Sequence, residues 1–293
     1  MEQKAHIPKI NSRSLARLIS NAGFRKMDSI RGAKTYSRQL KVVLEKGGTV
    51  LPTVCSLADL LDLSYIHLQN DYRHEYIYKT KLLSEFILEK YSLSDTIILN
   101  EFKIGKSIAD MILVNGTNKV FEIKTELDSP ERLKTQINDY YKAFSEVYIV
   151  THHTLTSKYR SLVDESVGII EFNSEFKLET IREAVINQTM LDNLAMMKSL
   201  RKGEFLQIIE EIYSCLPQTS QVKMYKECLD LAKQVSPTLL QQKYLSTIKS
   251  RINPIQELVL KSEIPVYLKF FCYLSNFSEN QYIALPSRLS CVV

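Results

Sequence analysis

Residues 109–144 read ADMILVNGTNKVFEIKTELDSPERLKTQINDYYKAF, and the fold class turns on them. SIADMILV (107–114) and KVFEIK (119–124) have the apolar character of strands. Asn115-Gly116-Thr117 between them reads as a three-residue hairpin loop, with Gly116 at the left-handed position. PERLKTQINDYYKAF (130–144) opens on proline and continues in good helix formers, as a helix does. Upstream, TIILNEFKI (96–104) is a further strand, joined to residue 107 by the tight turn Gly105-Lys106. Downstream, VYIVT (147–151) is apolar throughout, as a buried parallel strand should be, and GIIEF (168–172) is a candidate fifth strand. YRHEYIYKTKLLSEFILEKY (72–91) reads as an amphipathic helix. The order helix, three strands, helix, strand implies an α/β fold: a mixed sheet with helices packed on it.

Helical patterns flank this core on both sides. Residues 1–70 read as a basic, mainly helical N-terminal region. Ser12 or Ser14 is placed to cap a helix through Asn21, Gly23 to stop it, and Ser56 to start SLADLLDLSYIHL. Gly47-Gly48 and Pro52 mark a break between them. Residues 71–185 form the α/β core. Residues 186–293 read as a helical C-terminal region with segments near 187–201, 204–215, 219–234 and 237–251, punctuated by Pro217, Pro237, Pro254 and Pro265. In this region Met190, Leu194, Met197 and Leu200 recur at the spacing of a core-facing stripe.

Alternation puts Glu122 and Lys124 on one face of their strand, with Phe121 and Ile123 on the other. A cross-strand ion pair at a sheet edge would account for them at about 1 kcal/mol or less. The preceding turn adds a stronger constraint. With a two-residue loop at Gly105-Lys106, Ile104 pairs with Ser107 and Glu101 falls opposite Asp110. Like charges directly opposite are destabilising, and a bridging divalent cation relieves them, since hard oxygen donors suit Mg²⁺. An odd-length Asn115–Thr117 loop brings Glu122 to the same face as Asp110 and completes a set of acidic ligands.

Asp110 followed after eleven residues by Glu122-Ile123-Lys124 resembles the signature of the PD-(D/E)XK nuclease superfamily, whose core has the element order read above. Ala109 stands where the family's name has proline, a widely varying position. Gln136 and Tyr140 resemble the QxxxY motif of RecB-like and Cas4-like members, and the longer string ADxxxxNG…FEIKTxxDSxxRLxxQxxxY is similar to a group of small bacterial proteins on this core. The resemblance covers roughly residues 72–185. It implies a restriction-endonuclease-like core and a phosphodiesterase using one or two Mg²⁺ or Mn²⁺ ions, which activate water and neutralise developing charge. It further implies that Asp110, Glu122 and the carbonyl of Ile123 hold metal, and that Lys124 positions water or stabilises the transition state. Gln136 would orient the scissile strand, and Tyr140 would pack or contact phosphate. Glu101 ranks first as the additional acid, ahead of Glu75 and Glu85 on the first core helix. A deoxyribonuclease is the function expected, in phage defence, mobile-element or repair biology. A catalytically silent nucleic-acid-binding or protein-interaction module on the same fold is the alternative.

Charge and composition agree with these readings without choosing between them. The 293 residues are 45% hydrophobic and 24% charged, an ordinary globular balance that excludes a disordered or collagen-like chain. Residues 1–46 carry eleven Lys or Arg against three acids, and no acid interrupts Arg31, Lys34, Arg38 and Lys41. Such a segment attracts nucleic acid, or is a solvated helix face. The five cysteines form no CxxC pair and read as reduced thiols, and His152-His153 read as a loop rather than a zinc ligand pair. With no apolar run of about 18 residues and no signal-peptide pattern, a cytoplasmic protein is expected. A homodimer, or a protein partner gripped by the C-terminal helices, is a further expectation.

Overall fold

The computed structural model describes residues 9–175, 177–253, 264–275 and 277–293. They group into two compact units, one from residues 1–86 and 253–293, the other Ile87–Ile252. The division differs from the three regions read along the sequence. The helix from Glu75 joins the first unit, and the helices up to residue 249 share a core with the sheet.

The first unit is helical: α1 (Lys9–Leu18), α2 (Asn21–Phe24), α3 (Ile30–Lys46), α4 (Leu57–Asp71) and α5 (Glu75–Lys81). From α5 the helix runs on through a π-helical turn, Leu82–Ile87, into α6 (Leu88–Lys90). Ser20 caps α2 and Ser29 caps α3, so neither Ser12 nor Ser14 has the role expected. Ser12 is instead buried inside α1, its hydroxyl 3.0 Å from His67 Nε2, while His67 Nδ1 lies 3.1 Å from Asp71. Gly23 does not stop a helix. It lies within α2, where a Cβ would meet the Leu18 carbonyl oxygen at 1.8 Å. Ser56 starts α4 as expected, in a reciprocal capping box with Asp59.

The second unit is built on one sheet of β1 (Ile97–Ile104), β2 (Ser107–Val114), β3 (Asn118–Lys124), β4 (Glu146–His152), β5 (Gly168–Phe172) and β6 (Leu178–Arg182), in that spatial order. Its helices are α7 (Leu133–Tyr140), α8 (His153–Leu162), α9 (Asn193–Ser199), α10 (Lys202–Tyr213), α11 (Gln221–Ala232) and α12 (Pro237–Lys249). Strands β1–β3 form an antiparallel meander, β3, β4 and β5 are parallel, and β6 returns antiparallel. The mixed α/β architecture is therefore as expected. Ile104 pairs with Ser107, and Val114 with Asn118, so both hairpin loops have the lengths read from sequence. Gly105 (φ +60°) and Gly116 (φ +107°) hold the left-handed positions those loops require.

Two elements were not anticipated. His152 ends β4 and His153 begins α8, the crossover that two parallel strands need; the histidines are not a loop. The edge strand β6 lies beyond β5, half-exposed along its length.

One apolar core joins the sheet to the helices. Ile112, Val120, Val147 and Ile149 meet Ile137 and Phe144 beside α7, and Met196, Met197, Phe205, Ile208, Tyr244 and Ile248 from α9, α10 and α12. Each such burial contributes roughly 1.5–3 kcal/mol. Met190 is outside this core and exposed, because α9 starts three residues later.

The first unit closes with α13 (Val266–Ser275) and α14 (Glu279–Leu289); Pro254 lies outside the described residues. Among those described, no helix is long and apolar enough to cross a membrane.

Candidate active site

β2, β3 and α7 supply every member of the central group. Because β2 and β3 are in register at Met111–Phe121, Asp110 and Glu122 occupy facing positions one step further along. Asp110 Oδ2 accepts the backbone N–H of Ile123 at 2.7 Å. Glu122, 2% exposed, is enclosed by donors. Its Oε1 accepts from Lys124 Nζ at 2.7 Å and from Gln136 Nε2 at 2.6 Å, and its Oε2 from the Tyr140 hydroxyl at 2.5 Å. Lys124 also donates to Gln136 Oε1 at 3.1 Å.

Helical geometry explains the pair on α7. Gln136 and Tyr140 are four residues apart, hence on one face, and that face covers the end of β3 where Glu122 and Lys124 point. The Tyr140 oxygen is also 3.0 Å from the Ile108 carbonyl. A phenol has one proton, and the charged acceptor is favoured for it. Burial, followed by the negative charge of Glu122 and then of Asp110, raises the Tyr140 pKa far above its ordinary value. Both carboxylates therefore act on one phenolic oxygen. Asp110, Glu122, Lys124, Gln136 and Tyr140 are brought together as the sequence led us to expect.

Glu101 does not complete a three-acid cage. It lies between the pairs Asn100–Met111 and Phe102–Ala109, the position facing Asp110, but its φ of +54° takes it out of the ladder and it is exposed. Among the described residues no group of three His, Cys, Asp or Glu side chains could hold a metal. Glu75 and Glu85 belong to the first unit, where each is ion-paired one helical turn away, to Lys79 and Lys81. Arg31, Lys34 and Arg38 lie exposed on α3, also in that unit.

The donor set fits a hard divalent cation. Two carboxylates from adjacent strands converge beside a peptide unit, and Mg²⁺ is commonly held by one or two carboxylates with water completing its octahedron. A carboxylate has about four lone-pair sites; Lys124, Gln136 and Tyr140 use three on Glu122.

Asp139 was missed by sequence reading, yet it fixes the group from behind. Its Oδ2 accepts the Lys106 N–H at 3.0 Å and the Ser107 hydroxyl at 2.8 Å, and its Oδ1 accepts Lys142 Nζ at 2.6 Å. Burial raises its pKa, but Lys142, Ser107 and the Lys106 N–H outweigh this and hold it below the ordinary carboxylate value. Asp139 and Tyr140 thus staple α7 to the turn and strand that lead to Asp110. The partners are 33 residues apart, so no local pattern announces them.

The family model for bacteriophage P4 protein cII matches residues 68–265, about two thirds of the chain and all of the residues just described. The chain belongs to the phage P4 cII family. Protein cII of Enterobacteria phage P4 is 29% identical over 175 residues, which cover 58% of this chain and 64% of that protein. The chain thus spans slightly under two thirds of that family member's length. Among solved structures, the SPO1766 protein of unknown function from Silicibacter pomeroyi aligns over 41% of this chain and 81% of its own. The identity is 13% and the TM-score 0.28, a likeness too distant to bear on the fold.

Proposed function

We propose that this member of the P4 cII family is a metal-dependent phosphodiesterase that cleaves DNA, built on a restriction-endonuclease-like core. One observation carries the reading. Asp110, Glu122, Lys124, Gln136 and Tyr140, drawn from two strands and a helix, meet in a network centred on a buried carboxylate. Asp110, Glu122 and the Ile123 carbonyl would hold Mg²⁺ or Mn²⁺, which when bound supplies an activated water and charge neutralisation at phosphorus.

The chain's own groups do the rest. Lys124 is poised by Glu122 and Gln136 to present its ammonium group to a phosphate oxygen as negative charge develops there. Gln136, which can donate and accept, orients Lys124 or the scissile strand. Tyr140 holds Glu122 in place and keeps its second oxygen solvated by a hydrogen bond. A nucleic-acid substrate is consistent with a cytoplasmic protein, and cutting both strands would call for a dimer or a partner bound through the C-terminal helices.

A second reading rests on the same carboxylate. Glu122 is so fully enclosed by Lys124, Gln136 and Tyr140 that the network would also serve as a structural clasp in a silent nucleic-acid-binding or protein-interaction module. Incubation of plasmid DNA with Mg²⁺ or Mn²⁺ separates the two. The nuclease reading predicts degradation by the wild type and a loss of about a hundredfold or more in Asp110→Ala and Lys124→Ala. DNA binding by all three forms, with cleavage by none, establishes the silent module.

A further inference from the structure

Within the first unit, α2, the turn after it, α13 and α14 enclose a cavity of about 410 Å³. Its walls include Phe24, Phe271 and Phe277, with Arg25, Arg288 and Gln281 as polar members. The volume falls in the range of small-molecule sites, which pair apolar walls with a few polar groups. Phe24 and Phe271 lie 5.4 Å apart between centroids, and Phe277 stands edge-on to Phe271 at the same separation. Phenylalanine walls of this kind offer a flat base a stacking surface.

Charge narrows the choice further. Two arginines face one acid, Asp28, across the lining, and guanidinium groups suit phosphate oxygens. Arg288 is anchored by donating Nη1–H to the Met27 carbonyl at 3.2 Å. The basic residues of α3, in the same unit, form a stretch from Ser29 to Leu44 without one acid, on which a phosphate backbone could continue.

We propose that this cavity receives a nucleoside monophosphate group, the base against Phe271 and Phe277 and the phosphate on Arg25 and Arg288. The group would come from a single-stranded nucleic acid or a free nucleotide. The inference goes beyond the nuclease reading and does not rest on it, because no residue of the cavity belongs to the unit holding Asp110 and Glu122.

The chain has no tryptophan, so Phe277→Trp places a single indole at the cavity wall. In EDTA, which silences metal-dependent cleavage, its fluorescence is titrated with dTMP, a short oligothymidylate and an abasic oligomer of equal length. We expect saturable quenching by dTMP or oligothymidylate, and at least about tenfold weaker binding of the abasic strand. Adding Arg25→Gln should weaken binding about tenfold, the loss of one charge-assisted contact. Tighter binding of oligothymidylate than of dTMP identifies a strand as the source, and the reverse a free nucleotide. Displacement of labelled oligothymidylate from the wild-type chain by dTMP gives the same readout without the indole. Equal binding of the abasic strand, no saturable response to either thymidine ligand, or indifference to Arg25→Gln overturns the proposal.

Discussion

Tyr140 is the residue on which the candidate site closes, since its phenol joins α7 to the Glu122 carboxylate. Tyr140→Phe keeps the ring and removes that donor, leaving a buried carboxylate one partner short. A loss of about 1–3 kcal/mol in stability is expected, measured by urea unfolding. Asp139 makes a prediction about pH. Its folded-state pKa is lowered, so its contribution is full above the ordinary carboxylate value of 3.8 and is lost as the pH falls through the lower folded value. Asp139→Asn should cost about 1–3 kcal/mol at neutral pH and remove that part of the acid limb in urea midpoints measured against pH. Five site residues were legible in the sequence because their chemistry is unusual for a strand or their spacing fits one helix face. Glu101 misled because facing positions in a hairpin guarantee proximity only while the backbone stays extended, and its positive φ breaks that condition.

At the scale of elements, turn chemistry was the most reliable guide. The Gly105-Lys106 and Asn115–Thr117 loops set the β1–β2 and β2–β3 registers, and through them the facing of Asp110 and Glu122. Gly105 carries a second constraint. Besides its φ of +60°, a Cβ there would meet Asp139 Oδ1 at 2.8 Å. Gly105→Ala should therefore cost about 1–3 kcal/mol in chemical denaturation, and more than Gly116→Ala, where a Cβ meets nothing within 4 Å. The elements that escaped notice have physical reasons for doing so. HTLTSKYRSL (153–162) is rich in threonine and serine, which compete with helical hydrogen bonds; its helix exists because β4 and β5 are parallel. LETIR (178–182) has a sheet neighbour on one side and no strong alternation, so nothing local distinguishes it from a loop.

Over the whole molecule, the helices after residue 190 were legible as helices but not as part of the sheet's unit. Amphipathic spacing shows that a face is buried, not against what. The core supplies the test. Ile208, fully buried among residues of the sheet and α7, should cost about 2–5 kcal/mol as Ile208→Ala. If the unit is cooperative, amides of β3 and α10 should lose hydrogen-exchange protection together in that variant.

The central claim, that Asp110 and Glu122 jointly hold a divalent ion, is tested most directly by electron paramagnetic resonance of Mn²⁺ titrated into the protein with a short DNA duplex, corrected for Mn²⁺ held by the duplex alone. The account predicts bound Mn²⁺ in the wild type, and loss of that signal in both Asp110→Asn and Glu122→Gln while each variant remains folded. Equal Mn²⁺ uptake by wild type and variants, or none by any of them, would contradict it.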